Sequence, residues 1–535
     1  MRKGNGTIGP THPPPETHQM NPFACLWITW QARQRQALCL AALAFCTAVV
    51  SPQPNANRPA GDAPQARPGG DTTVATQGRQ AFSFPAANLD AESQAIFDSG
   101  SLIFRRDWVA TPRSTAVGDT AVGLGLGPHF NERSCSGCHS LDGRGAPHAA
   151  GDLYRRFIPA QPFALILRLT VPGADGKPGP EPRYGPQFSN AAVAGVRPEG
   201  SVHIRYAEKP GRFDDGTAYS LRQPHYRFSQ LAHGPLNVQT TVSPRIAPHL
   251  PGVGLLDAIS EGDIEQNARD QARRPDAIKG IVSRVFDPYG GEVVGRFGWK
   301  ASTGSLQHQT ATAFQADMGI TSEHFAREDC ALALADCLRA QRDTRKTGGK
   351  NGKGDASAPV SPVEIDNDTF GKVVAYQATL AVPARRDMDN LDVRRGQTLF
   401  AQAQCSACHR AAYTTAKGYG PALSRQRIYP YTDLLLHDMG PDLADRRANG
   451  SHGKGGATGA GGLDGLARQW RTPPLWGIGL IPEVNGHSFL LHDGRARGVL
   501  EAILWHGGEA KGSRQKVLAM TTSEREALVK FVNSL

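Results

Sequence analysis

Apolar positions along this chain recur with helical spacing in its N-terminal and C-terminal thirds and with strand-like alternation between them. The first apolar run, Ala37 to Val50 (ALCLAALAFCTAVV), follows Arg33 and Arg35. Its length suits the apolar part of an export signal and is short for a bilayer span, so residues 1–50 read as an export signal region. Residues 51–83 are rich in Pro, Gly, Ala and Asn and read as a flexible linker, with order expected from about Phe84. Asn88 to Gly100 has a helical pattern with Ile96 and Phe97 inward. Phe163–Val171 and Val202–Tyr206 alternate like strands between Pro and Gly residues. Ser260 to Arg273 reads as a helix with Ser260 and Asp263 as its capping pair. Residues 343–362 are polar and rich in Gly and Lys, which marks a mobile loop, and residues 447–463 form a Gly-rich surface loop. Asp392 to Gln404 predicts a helix burying Val393, Leu399 and Phe400. Ser523 to Leu535 predicts another, opened by a Ser523-x-x-Glu526 capping box and burying Leu528, Val529, Phe531 and Val532.

Two pentapeptides give this pattern its chemistry: Cys135-Ser-Gly-Cys138-His139 and Cys405-Ser-Ala-Cys408-His409. In Cys-x-x-Cys-His, two thiols can add across the vinyl groups of one haem while the His lies beneath the ring as proximal iron ligand. Composition alone predicts roughly 0.005 such matches in the chain. A structural zinc site would need further ligands at close spacing, and a redox Cys-x-x-Cys pair would not need the His. The expected cofactors are therefore two covalently bound haem c groups, held by Cys135, Cys138 and His139 and by Cys405, Cys408 and His409. A helix running into the second motif and a terminal helix to cross it are the minimal plan of a class I cytochrome c domain. The expected fold is mainly α, with two cytochrome c-like haem domains, the first embellished with loops and short strands. The domains are placed at 84–342 and 375–535, joined by a mobile loop and linker at 343–374.

The formal charge of +10 changes this picture little. Residues 1–80 hold seven Arg and Lys against three Asp and Glu, and haem propionates would offset much of the remainder. No basic run with interleaved aromatics points to nucleic acid. Attachment of haem by thioethers occurs outside the cytoplasmic membrane, so motif and leader agree on an exported, periplasmic protein. Membrane association follows only if the leader is retained or lipidated. Of the nine cysteines, Cys330 and Cys337 lie outside the leader and the motifs. Along one continuous helix their separation would be about 10.5 Å, beyond disulfide reach, so a bridge requires a turn between them. A disulfide and two free thiols both stay open.

The opposite face of each iron decides between electron storage and reaction with peroxide. Met439, in Leu434-Leu-Leu-His-Asp-Met439, is the candidate sixth ligand of the second haem, and His437 is its rival. Met318 reads as core. A peroxidase also needs a group that moves a proton between the peroxide oxygens, and His129, Glu132 and His148 are the candidates beside the first motif. His492 and His506 read as structural. Trp299, Trp470, Trp476 and Trp505 are candidates for a place between the haems.

Several strings extend the pattern: Gly127-Pro-His-Phe-Asn-Glu-Arg-Ser-Cys135, Gly295-Arg-Phe-Gly-Trp-Lys300, Asp317-Met-Gly-Ile-Thr321, Leu380-Ala-Val-Pro-Ala-Arg-Arg386, Asp433-Leu-Leu-Leu-His-Asp-Met-Gly440, Trp470-Arg-Thr-Pro-Pro-Leu475, Leu491-His-Asp-Gly-Arg-Ala496 and Leu504-Trp-His-Gly-Gly508. With them the chain resembles the bacterial di-haem oxidoreductases described as peroxidases or thiol oxidoreductases, distant relatives of the di-haem cytochrome c peroxidases. The resemblance implies one haem per domain and redox chemistry, with hydrogen peroxide as a possible substrate and a small cytochrome c or cupredoxin as redox partner. The chain departs from a regular pattern in one place: Gly396 and Phe400 stand just before the second Cys pair, whereas Gly100 and Phe104 are separated from Cys135 by a long loop. The readings that compete with a peroxidase are a non-enzymatic di-haem electron carrier and a maturation enzyme that oxidises side chains.

Overall fold

The computed structural model describes residues 64–110, 125–148, 158–159, 164–173, 177–288, 290–331, 333–339, 363–448 and 463–535. The export signal region, the loop at 343–362 and most of the Gly-rich loop at 447–463 lie outside the described residues.

Two helix pairs organise the motifs. Helix α1 (Ala91–Arg105) starts at Asp90, whose side chain accepts a hydrogen bond from the Ser93 N–H. Helix α2 spans Glu261–Ala272, with the Ser260 hydroxyl accepting from the Asp263 N–H as expected, and α3 spans Leu306–Met318. Helix α4 spans Asn367–Ala378, so residues 367–374, expected as linker, are its first two turns. Helix α5 (Leu391–Gln402) is capped by Asn390 and buries Val393, Gly396, Leu399 and Phe400. The last helix, α6 (Thr522–Ser534), begins two residues earlier than expected. Its capping box joins Thr521 to Glu524 instead of Ser523 to Glu526, because the same S/T-x-x-E pattern is matched first at Thr521.

Helix α1 buries Phe97, Gly100 and Phe104, on one face, and packs on α4. Ile96, expected inward, is 37% exposed because it lies off that face. An added Cβ at Gly100 would collide with the Lys372 carbonyl, and one at Gly396 with the Ala527 carbonyl of α6. A glycine thus brings the backbones of each pair, α1–α4 and α5–α6, into contact. Gly396→Ala is expected to cost about 1–3 kcal/mol through overpacking, read as a lower urea midpoint with an unchanged denaturant slope.

The expectation of a mainly α fold is overturned. The chain is 34% helix and 20% strand, and six sheets occur among the described residues. Strands β1 (Leu165–Pro172), β2 (Pro178–Pro180), β3 (Ser201–Arg212), β4 (Ala218–Ser229), β5 (Thr241–Ile246), β6 (Leu436–Asp438), β7 (Arg446–Arg447) and β8 (Gln469–Arg471) include the longest. The order β7-β5-β1-β2 forms one antiparallel sheet, with Leu165 opposite Ile246 and Thr170 opposite Thr241. A long hairpin pairs β3 with β4 from Ser201–Ser229 to Arg212–Ala218. These strands are more than decoration, because their alternating apolar residues build a core of their own: Leu165, Leu167, Leu169, Tyr184, Phe188, Ile204, Tyr206, Val242 and Ile246.

The linker expected at 51–83 is also corrected where it is described. Val74 bridges to Pro383, the Ala86 N–H donates to Thr379 O, and Phe82 is fully buried. Long-range backbone pairing and one aromatic anchor offset the low apolar content of this segment. The described residues form one compact unit, and its two larger cores each draw on both halves of the sequence: Phe104 and Trp476 belong to one, and Phe82, Trp299 and Phe531 to the other. Cys330 and Cys337 form a disulfide, their Cα atoms 5.9 Å apart; a turn precedes the short helix that carries Cys337, which meets the geometric condition for a bridge. Among the described residues no helix is long and apolar enough to cross a membrane.

Candidate functional site

Each Cys-x-x-Cys-His motif closes a single helical turn. In the first, Cys135–Cys138 is helical and the His139 N–H donates to Cys135 O at 2.9 Å. In the second, Gln404 takes a left-handed conformation, a 3-10 turn spans Cys405–Ala407, and the His409 N–H donates to Cys405 O at 2.9 Å. Both cysteines and the histidine of each motif thereby come to one side of the chain.

The histidines are held alike. His139 Nδ1 lies 2.8 Å from Pro248 O, and His409 Nδ1 lies 2.9 Å from Tyr431 O. A carbonyl only accepts, so Nδ1 carries the proton and Nε2 keeps its lone pair. Burial pushes both imidazoles down to about 4, against the pull of those carbonyls, which keeps them neutral and able to ligate. Phe104 and Phe400 sit at matching distances from them, with ring centroids 6.4 Å from His139 and 6.1 Å from His409. The two glycine-spaced helices therefore present equivalent walls, although the loop before Cys135 is long.

One cavity of about 370 Å³ is lined by both motifs and mainly by apolar side chains. All four motif thiols are unpaired and face it. Burial pushes Cys135 and Cys405 up to about 12 and raises Cys138 and Cys408 as well. Such thiols are held neutral by burial. The donor set fits haem at both ends: two thiols on one turn, an imidazole with its Nε2 unprotonated, and apolar walls.

The sequence candidates separate clearly. Met439 lines the cavity. His437 lines it too, but its Nε2 is 2.9 Å from Asp433 Oδ2 and its Nδ1 is 2.7 Å from Glu509 Oε2. Burial opposes the charge on this ring, yet Asp433 and Glu509 raise its pKa well above the ordinary value. Cys408, Asp433 and His437 place their donor atoms within 4.8 Å of one another, and an ion there would displace both of those hydrogen bonds.

Beside the first motif, Glu132 lines the cavity, whereas His129 and His148 are absent from its lining. His129 Nε2–H donates to Arg197 O, and His148 is buried between Tyr206 and Phe489 rather than on the surface. His492 and His506 line the cavity, as do Trp299, Trp470 and Met318; Trp476 and Trp505 are core. His492 stacks on Trp470 with 3.7 Å between ring centroids.

Sequence reasoning missed the cavity face of α3. Leu306, Gln309, Thr310, Ala313 and Asp317 form a helical stripe along the cavity. Three polar residues on an otherwise apolar stripe were the available signal. Asp317 is pushed up by burial and accepts a hydrogen bond from Gln187 Nε2 at 2.9 Å.

The motif after His492 is structural. Asp493 and Arg495 form a fully buried pair at 2.8 Å. Burial alone would raise Asp493, but Arg495 and then His492 hold it down to about 2. A depressed carboxylate stabilises the fold above its unfolded value, and that stability is lost as pH falls from about 4 towards 2. Arg495→Met strands the carboxylate and is expected to cost about 3–5 kcal/mol. Urea unfolding at neutral pH checks this.

No curated protein matches the chain. Among solved structures, hydrazine synthase of Kuenenia stuttgartiensis pressurised with xenon is similar over 32% of this chain and 57% of its own, at 19% identity and a TM-score of 0.22. This chain thus spans a little over half of that one. The family described as "Di-haem oxidoreductase, putative peroxidase" matches residues 63–535, nearly all of the described chain with both motifs, and the protein belongs to this di-haem oxidoreductase family.

Proposed function

We propose that the protein is an exported, periplasmic c-type di-haem enzyme that reduces hydrogen peroxide with electrons from a small cytochrome or copper protein. The observation that carries this reading is a pair of buried carboxyls beside the first motif. Glu132 and Asp317 line the cavity and both act electrostatically on Cys138, while Met439 lines it as well.

Cys135 and Cys138 would anchor one haem by thioethers over His139, and Cys405 and Cys408 the other over His409. When bound, each haem supplies an iron that exchanges single electrons. Met439, which lines the cavity with the second motif, would offer a thioether, a ligand that stabilises ferrous iron and would suit the electron-accepting site. At the first site, Glu132 and Asp317 are the proton carriers. Burial raises both carboxyls, which keeps a proton available nearer neutral pH. One peroxide, two electrons and two protons give two waters, one added proton going to each oxygen as the O–O bond breaks, and the carboxyls would supply them. The apolar lining excludes bulk water from the path.

Stopped-flow mixing of the reduced protein with peroxide tests this. Haem oxidation within milliseconds to seconds is expected; none on that scale would leave a closed electron carrier. A high-spin ferric band, or cyanide binding at one haem, separates the same two alternatives.

A further inference from the structure

We propose that Arg144, Arg245 and Arg471 form one guanidinium cluster that binds the propionate carboxylates of both haems and couples the two redox sites. The inference rests on the two-haem reading above.

All three arginines line the cavity. Arg144 is 5% exposed and Arg471 8%. Their hydrogen-bond partners are neutral. Arg144 Nε donates to Phe489 O at 2.9 Å, Arg471 Nε to Gly298 O at 2.9 Å and Nη1 to Thr472 O at 3.2 Å, and Arg245 Nε to Ser243 Oγ at 3.3 Å. Among the described residues none of the three has a carboxylate within ion-pair distance. Several other buried cations do: Arg495 has Asp493 at 2.8 Å, Lys300 has Asp445 at 3.1 Å and Arg525 has Asp215 at 2.8 Å, whereas the buried Arg222 guanidinium bonds only neutral groups. Asp493, Asp445 and Asp433 act on Arg144, Arg245 and Arg471 respectively without reaching ion-pair distance. Buried charge with no counter-ion in contact is costly, so these forks favour a ligand carboxylate.

The three arginines are linked through Trp299. The Arg144 guanidinium lies 5.2 Å from the centre of the Trp299 ring. The Arg471 N–H donates to Trp299 O at 2.9 Å, and Trp299 Nε1 donates to Ile246 O, next to Arg245, at 2.9 Å. Arg144 follows His139 closely in sequence. Arg245 precedes Pro248, whose carbonyl holds His139. Arg471 adjoins Thr472, whose carbonyl accepts from Thr432 beside the Tyr431 that holds His409. The cluster therefore touches the scaffolding of both proximal histidines. Burial holds each guanidinium down to about 10, still protonated at neutral pH. Each haem carries two carboxylates on one edge, which is the chemistry these forks accept.

The test uses the full-length exported holoprotein, with haem content fixed by intact mass and both midpoint potentials read by spectroelectrochemistry. Removing a nearby positive charge favours ferric iron. Arg245→Met, the least anchored of the three, is expected to keep both haems and lower both potentials. Arg245→Lys and Arg471→Lys are expected to keep most of the parent values. Met variants that carry two haems at parent potentials would overturn the proposal, as would Lys variants indistinguishable from Met variants, because only a role in the arginine's shape rather than its charge treats them alike. A shift confined to one haem overturns the sharing. A parent protein that takes up no haem sinks the two-haem reading itself, a failure visible by mass before any variant is made.

Discussion

Protein carrying Cys405→Ser and Cys408→Ser is expected to be purified with one haem fewer than the parent, and Cys135→Ser with Cys138→Ser to lack the other. The four thiols are in no disulfide, face one cavity and are held neutral by burial, and Cys408 Sγ has only a long contact with His437 Nδ1 at 3.7 Å. Each imidazole offers one coordinating nitrogen, and an exchangeable haem held only by that nitrogen and apolar contact would be lost during purification. The expected effect is all-or-none at each site: intact mass falls by one porphyrin and the haem absorbance halves. Serine is nearly isosteric with cysteine, so the loss would not reflect a packing defect. Retention of both macrocycles after either double substitution would show that the thiols anchor nothing.

Those six motif residues are legible as candidates because the spacing that would let two thiols and an imidazole meet one ring is written within five positions, and the fold brings all six to one cavity. The helices were legible for a similar reason. The α5 stripe of Val393, Leu399 and Phe400 is periodic within one window, and Gly396 falls at its closest crossing. The sheets were not. β1 is stabilised by β5, more than seventy residues on, and β5 in turn by Arg446 and Arg447 of β7. Its short alternating run was therefore read as ornament to a helical core. The segment after Pro64 looked like a tether because its partners, Thr379 and Pro383, lie three hundred residues away. The arginine cluster has no signature at all, since Arg144, Arg245 and Arg471 converge only through Trp299. His129 and His148 drew attention by proximity in sequence to the first motif, but a strand and the Tyr206–Phe489 packing turn them elsewhere. Glu132 had the same proximity and does face the cavity.

Glu132→Gln and Asp317→Asn together are expected to slow peroxide-driven haem oxidation by about 10²–10⁴, the range for removing general acid–base assistance. Both amides keep the shape and hydrogen-bonding capacity of the parent side chains but cannot release a proton at neutral pH. Glu132 also accepts from the Arg133 N–H at 2.7 Å and packs against Gly137, contacts that a glutamine can retain. The pH profile gives the sign. Burial raises both carboxyls above the ordinary range, so the acid form persists to higher pH, and the parent rate should fall as pH rises through that raised value. The double variant should lose that falling limb along with its rate, while haem content and both spectra stay those of the parent. Single variants then assign the role: the carboxyl whose loss abolishes the limb is the one that delivers the proton. If both single variants and the pair react within a few-fold of the parent, with the limb intact, the first site does not use these carboxyls. The two buried carboxyls beside the first motif would then have no catalytic role.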